Sequence, residues 1–278
     1  MSNLSDRKKT TVHSFVSKKA RGEKIAVLTA YDYFTARLLD EAGVDALLVG
    51  DSVANVLHGF ESTLPITMDV MIAHTAAVAR GTEKALVIAD MPFLSFQPSV
   101  EVAVTNAGRF LKEGRAEAVK IEGGIEMAAT VKRVVECGIP VMGHIGLTPQ
   151  SIHRFGGPKV QGKEEKSRAY LMESALALEE AGCFSMVLEL VDADHAREIT
   201  KALKTTATIG IGAGPHCDGQ VLVINDILGL RKEGFKPKFL RQYADLRPVI
   251  TDAAKKFIED VKSGGYPGEE ESYYSKEL

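Results

Sequence analysis

Six polar residues of this chain share one sequence context. Asp51, Asp90, Glu122, His144 and Glu189 each closely follow a short apolar run, and Lys120 lies near the end of one. Four carboxylates gathered in one cavity repel one another, so they need a bound cation, a raised pKa or pairing with Lys120. Oxygen donors without thiolates favour a hard ion such as Mg²⁺. Such an ion, held by two or three carboxylates, can chelate an α-keto acid and polarise its carbonyl. The neighbouring carbon becomes acidic, a remaining carboxylate can take its proton, and the enolate charge is held electrostatically.

The elements that must position these residues repeat along the chain. Short continuous runs rich in Val, Ile, Leu and Ala occur at Ile25–Leu28, Ala46–Val49, Ala85–Ala89, Ala118–Ile121, Pro140–Gly143, Ser185–Leu188, Thr208–Ile211 and Val221–Ile224. Strands buried on both faces of a parallel sheet have that composition. Helical segments alternate with them: Tyr33–Glu41, Thr67–Arg80 capped by Thr67, Pro98–Glu113 opening on Pro98, Glu126–Cys137, Glu164–Ala181, and His195–Lys204 capped by Asp194. Several stop at a glycine, as helices do. Eight strands with intervening helices predict an α/β fold, a (β/α)8 TIM barrel forming a single domain over residues 1–278. The barrel spans about 24–262. A short helix over Thr10–Lys19 precedes it and covers its bottom, and an irregular tail follows from Ser263 to Leu278. In such a barrel the loops after the strands form the active face, so the six polar residues point into one mouth. Lys120 and Glu122, two apart on a strand, share a face.

Each residue alone also has a plain reading. Asp51 or Asp90 could cap the next helix, Glu122 could order its glycine-rich loop, and His144 could be a core histidine. Gly210-Ile211-Gly212-Ala213-Gly214 departs from a dinucleotide fingerprint, because Pro215 stands where the third glycine belongs. It reads as a phosphate-binding loop after strand seven or as close turns at the rim. His58, His74, His153, His195 and His216 show no ligand spacing.

Composition narrows the function classes. The 278 residues carry 34 Lys plus Arg against 37 Asp plus Glu, a net charge of −3, which disfavours nucleic acid as a partner. No apolar stretch approaches the roughly 18 residues of a membrane span. Cys137, Cys183 and Cys217 are odd in number and form no C-x-x-C pair, so a disulfide framework or cysteine zinc site is disfavoured. The N-terminus has no apolar signal region, so the Asn3-Leu4-Ser5 sequon is not expected to meet glycosylation. Lys276-Glu277-Leu278 only approaches an ER-retention signal. A cytoplasmic location is expected.

Several stretches carry a resemblance. Leu48-Val49-Gly50-Asp51-Ser52, Ala89-Asp90-Met91-Pro92-Phe93 and Val119-Lys120-Ile121-Glu122-Gly123-Gly124 resemble ketopantoate hydroxymethyltransferase. So do the segments from Gly143 to Gln150, Phe155 to Gly162 and Ile209 to Val223, with Thr29-Ala30-Tyr31-Asp32 and Tyr266-Pro267-Gly268-Glu269-Glu270. The likeness runs from about Lys24 to Glu270. It implies a Mg²⁺-dependent TIM barrel, usually a homodecamer, that moves a one-carbon unit from 5,10-methylenetetrahydrofolate to 3-methyl-2-oxobutanoate. The product is 2-dehydropantoate, on the way to pantothenate. By position, the resemblance puts Asp51, Asp90 and Glu122 at the metal. Asp51, Ser52, Asp90, Lys120 and His144 fall at the keto acid, and Glu189 at the general base. It assigns no folate-binding residues. Leu190-Val191-Asp192 departs from the family pattern, which puts the geometry of that loop in question. The alternative enzyme is a Mg²⁺-dependent lyase or mutase of the phosphoenolpyruvate mutase and isocitrate lyase type, which needs a cysteine in the mouth. The alternative outside catalysis is a metabolite-binding barrel.

Overall fold

A computed structural model describes residues 7–231 and 237–274. The Asn3 sequon, Lys276-Glu277-Leu278 and residues 232–236 lie outside the described residues. The strands are β1 (Ile25–Thr29), β2 (Ala46–Val49), β3 (Leu86–Asp90), β4 (Ala118–Glu122), β5 (Val141–Gly146), β6 (Ser185–Glu189), β7 (Ala207–Ile211) and β8 (Gly219–Leu222). They pair in sequence order, all parallel, and β8 pairs with β1 to close a barrel. The expected fold class is the observed one. Gly219 sits at the closure, where a Cβ would lie 2.4 Å from the Ile25 carbonyl. Hydrogen bonding needs that approach, and it places β8 two residues earlier than its apolar run, which ended at Ile224.

The helices are α1 (Val12–Arg21), α2 (Tyr33–Ala42), α3 (Val53–Val56), α4 (Met68–Gly81), α5 (Val100–Lys112), α6 (Ala128–Glu136), α7 (Ile152–Phe155), α8 (Glu165–Glu180), α9 (Ala193–Ala202), α10 (Ile224–Ile227) and α11 (Leu246–Ser263). Thr67 caps α4 as its sequence predicts, accepting from Val70 N–H. Several termini differ from expectation. Ser99, not Pro98, opens α5, because its hydroxyl accepts from Val102 N–H. Asp192, not Asp194, caps α9 by accepting from His195 N–H, and Asp194 sits in the first turn. Gly81 is the last residue of α4 rather than its stop, since a Cβ there would stand 2.4 Å from the Tyr33 carbonyl. Its bare backbone lets α2 and α4 touch. Glu126 lies in a short 3₁₀ turn before α6. α11 is a helix that no strand repeat marked.

Inward side chains of the strands form one cluster: Ile25, Val27, Ala46, Leu48, Leu86, Ile88, Ala118, Met142, Val187, Ala207, Ile209 and Val221. Phe15 of α1 joins it, fully buried and edge-on to Phe184 at 5.4 Å. Burying such a ring contributes about 1.5–3 kcal/mol. α1 thus plugs the bottom, as expected. Its charges fasten there: Lys18 pairs with Asp45, and Lys19 with Asp218 at 2.9 Å. Those carboxylates also accept strand-edge N–H groups, of Ala26 and Thr208 respectively. The bottom is therefore structural, which leaves the opposite end for chemistry.

The chain divides into two compact units, Met1–Ile224 with Pro237–Phe239, and Asn225–Lys236 with Leu240–Leu278. All eight strands belong to the first.

Candidate active site

Parallel register assembles the site. Asp90 on β3 lies beside Lys120 on β4, and Glu122 on β4 beside His144 on β5. Gly146 on β5 stands beside Glu189 on β6. Lys120 and Glu122 face inward with Ala118, whose side chain is in the core cluster. Asp51 follows β2, and its N–H donates to Asp90 Oδ2 at 3.0 Å. All six polar residues named from the sequence meet at the C-terminal mouth. Asp51, Asp90, Lys120, Glu122 and His144 are buried. Glu189 is more open than a residue following Val187-Leu188 was expected to be, with its side chain 20% exposed.

Lys120 Nζ stands 2.9 Å from Asp90 Oδ1, 3.7 Å from Glu122 Oε1 and 3.0 Å from His144 Nδ1. Burial disfavours its charge, but Asp90, Glu122 and Asp51 outweigh burial and hold its pKa above the usual lysine value. In the neutral ring Nδ1 accepts from a charged Lys120 and the proton sits on Nε2, whereas in the imidazolium both nitrogens carry protons and Nδ1 faces Glu122 Oε1 at 3.3 Å. His144 Nε2 lies 3.3 Å from Glu189 Oε2, close but off hydrogen-bond alignment. Burial and Lys120 oppose a second proton on this ring, yet Glu122 and Glu189 overcome them and bring His144 to about 9. In either charge state Nε2 presents its proton toward Glu189.

The carboxylates are unequal. Burial raises Asp51, Asp90 and Glu122 add to it, and Lys120 only partly offsets them, leaving Asp51 at about 7. Burial also raises Asp90, despite Lys120. Burial pushes Glu122 up as well, but His144, Lys120 and the Gln150 N–H bring it below the ordinary range. Asp90 Oδ1 and Glu122 Oε1 are buried without an aligned hydrogen bond and are held only by charge, Asp90 Oδ1 by Lys120 at 2.9 Å and Glu122 Oε1 by His144 Nδ1 at 3.3 Å. Three buried carboxylates with only Lys120 and His144 to balance them fit a hard divalent cation, which would relieve the crowding that raises Asp51 and Asp90. Among the described residues, no three of His, Cys, Asp and Glu form a ready-made cage.

Two residues at the site were not named from the sequence. Gln150, buried on the turn after β5, donates its amide to Asp51 and its N–H to Glu122. Tyr31, buried after β1, bonds Ser52 Oγ at 2.8 Å through its hydroxyl. Both stand at strand C-terminal ends, the rule that found the other six, but their neutral side chains gave it no charge to follow. The Gly210–Gly214 segment is accounted for by packing. A Cβ on Gly212 would press Leu190 and Phe239, and one on Gly214 would press Ala193. The cysteines stay away from the mouth. Cys183 and Cys217 precede strands, and Cys137 ends α6.

A family model described as ketopantoate hydroxymethyltransferase matches residues 9–269. The 3-methyl-2-oxobutanoate hydroxymethyltransferase of Syntrophus aciditrophicus is 55% identical over 273 residues, covering 98% of this chain and all of the relative. That of Prosthecochloris aestuarii is 56% identical over 259 residues, covering 92% and 93%. Among solved structures, phosphonopyruvate hydrolase in complex with oxalate and Mg²⁺ superposes with a TM-score of 0.60 at 12% identity, covering 96% of this chain and 93% of that one. The 2,3-dimethylmalate lyase, a member of the phosphoenolpyruvate mutase and isocitrate lyase superfamily, gives 0.58 at 18%, with coverage of 96% and 93%. Those structures share the barrel, whereas the sequence relatives share more than half of all residues along nearly the whole length. By that full-length match the chain belongs to the ketopantoate hydroxymethyltransferase family.

Proposed function

We infer that the chain adds a hydroxymethyl group to 3-methyl-2-oxobutanoate, giving 2-dehydropantoate, with 5,10-methylenetetrahydrofolate as one-carbon donor. The observation that carries this reading is the buried acidic pocket of Asp51, Asp90 and Glu122 gathered around Lys120, with the more open Glu189 beside it. Asp51, Asp90 and Glu122 would hold Mg²⁺. When bound, that ion supplies Lewis-acid polarisation of the keto carbonyl. Lys120 and Ser52 bind the keto-acid oxygens, and Tyr31 orients the Ser52 hydroxyl. Glu189 takes the C3 proton, and the electron pair of that C–H bond becomes the enolate. Lys120 balances the charge that builds on the carbonyl oxygen. His144 Nε2, 3.3 Å from Glu189 Oε2, sets a proton-bearing edge beside the base. Water hydrolyses the folate iminium, breaking its methylene–nitrogen bonds and releasing tetrahydrofolate and formaldehyde. The enolate C3 attacks the formaldehyde carbon, forming the new C–C bond as the C=O π bond breaks, and the resulting alkoxide takes the proton held by Glu189.

The alternative lyase or mutase reading lacks its cysteine, since none of the three stands at the mouth. Exposed apolar side chains on α2 (Phe34, Leu38) and on α11 (Phe257, Ile258) support self-association, with a decamer as the size the resemblance implies. Free cysteines support the cytoplasmic location. Among the described residues, no helix is long and apolar enough to cross a membrane.

The test is proton NMR of 3-methyl-2-oxobutanoate in D₂O with the protein and Mg²⁺, with and without the folate, and with a chelator. Cation-dependent loss of the C3 proton without folate, and a hydroxymethyl resonance with it, are expected. A persistent C3 signal and no product with folate overturn the reading.

A further inference from the structure

The site carboxylates are aimed by hydrogen bonds to one oxygen of each. Gln150 makes most of these. Its Nε2 donates to Asp51 Oδ2 at 3.0 Å and to the Met91 carbonyl at 2.9 Å. Its backbone N–H donates to Glu122 Oε2 at 3.0 Å. Its Oε1 accepts from Gln97 Nε2 at 3.2 Å. Asp51 follows β2, Met91 and Gln97 follow β3, Glu122 ends β4 and Gln150 follows β5. One buried residue therefore ties together the mouth ends of four consecutive strands.

The orientation of this amide is fixed by its neighbours. A flipped amide would set its oxygen against the Asp51 carboxylate and the Met91 carbonyl, which only accept. It would also set its NH₂ against the Gln97 NH₂, which only donates. The anchoring leaves specific oxygens over. Gln150 takes Glu122 Oε2, which leaves Glu122 Oε1 turned toward Lys120 and His144 without an aligned hydrogen bond. The Asp51 N–H takes Asp90 Oδ2, which leaves Asp90 Oδ1 to pair with the Lys120 ammonium at 2.9 Å. A hydrogen bond to one oxygen fixes the rotation of a carboxylate and so points its other oxygen.

We propose that Gln150, held by Gln97, is a positioning residue that points Asp51 and Glu122 at a bound divalent cation. The proposal rests on the cation-dependent reading of the pocket. It is tested by Mn²⁺ binding to the full-length chain without substrates, followed as loss of the free Mn²⁺ paramagnetic resonance signal. The Mg²⁺ dependence of transfer is measured beside it, and melting curves confirm folding. Gln150→Met keeps the volume and removes the side-chain donor to Asp51 and Met91 and the acceptor for Gln97, while the backbone N–H to Glu122 remains. It is expected to raise the Mn²⁺ dissociation constant about 10- to 100-fold. The Mg²⁺ concentration giving half-maximal transfer rises in parallel, while the rate at saturating Mg²⁺ falls much less. A purely structural role would not produce that split. Gln97→Leu touches no carboxylate and is expected to shift both quantities in the same direction by a smaller factor, so it carries the test if Gln150→Met does not fold. Wild-type Mn²⁺ affinity in a folded Gln150→Met chain, or in Gln97→Leu where the former is unfolded, overturns the proposal alone. A wild-type chain that leaves all Mn²⁺ free overturns the cation reading and this proposal together.

Discussion

Three buried carboxylates face one lysine at the mouth, and their unequal protonation sets the behaviour of the pocket. Asp51, lifted to about 7 by burial and by Asp90 and Glu122, keeps its proton in mildly acidic solution when no cation is present. A cation needs the carboxylate form, so it must displace that proton. Mn²⁺ binding is therefore expected to tighten as pH rises from about 6 to 8 and to level off above it, with proton release measurable by calorimetry in buffers of different ionisation enthalpy. Asp51→Asn removes the titrating proton, and its residual binding should lose most of this slope. Glu189 stands apart from that cluster, more open and facing His144 Nε2 at 3.3 Å. Changing Glu189 to Gln keeps the size and removes the base. Turnover is expected to fall about 10²–10⁴-fold, with keto-acid binding nearly unchanged by equilibrium titration. A fully active Glu189→Gln chain removes this residue from proton transfer.

At the scale of elements, the barrel holds its site steady from the end where no chemistry occurs. α1 inserts Phe15 into the core cluster against Phe184 and pins Lys18 and Lys19 to carboxylates before β2 and β8. Phe15→Ala empties that plug and is expected to destabilise the chain by about 3–5 kcal/mol in urea unfolding. The part-buried pairs Lys18–Asp45 and Lys19–Asp218 act together with the strand-edge N–H groups that their carboxylates also accept. Gly219→Ala strikes the seam between β8 and β1, where the added methyl meets the Ile25 carbonyl backbone. Backbone must move there, so a loss of about 1–3 kcal/mol is expected, seen as a lower thermal midpoint.

At the scale of the whole molecule, the core of the barrel contains none of the site carboxylates. Removing divalent ions with a chelator is therefore expected to stop transfer and leave the far-ultraviolet dichroism unchanged. The melting point should fall only by the binding contribution, about 2.7 kcal/mol of stability at a hundredfold excess of cation over its dissociation constant. The order of strands and helices was readable in the sequence because a strand covered on both faces must be continuously apolar, as Ala46–Val49 and Ser185–Leu188 are. The same pattern placed Asp51, Asp90, Lys120, Glu122, His144 and Glu189 at strand ends, since a charge that interrupts such a run marks where the strand leaves the core. Helix termini were less legible. Asp192 and Asp194 are equally good caps by type, and only the backbone path decides which one meets the His195 N–H. Gln150 and Tyr31 were legible as strand-end residues but not as members of the site, because a neutral side chain acquires its role from the groups it touches. The sequence by itself thus determined the barrel and the acidic character of its mouth, through the local demands of burial. Only the tertiary structure decided which carboxylate oxygens are anchored and which are left over. Those depend on register between strands and on contacts such as Gln150 with Asp51, 99 residues apart in the chain.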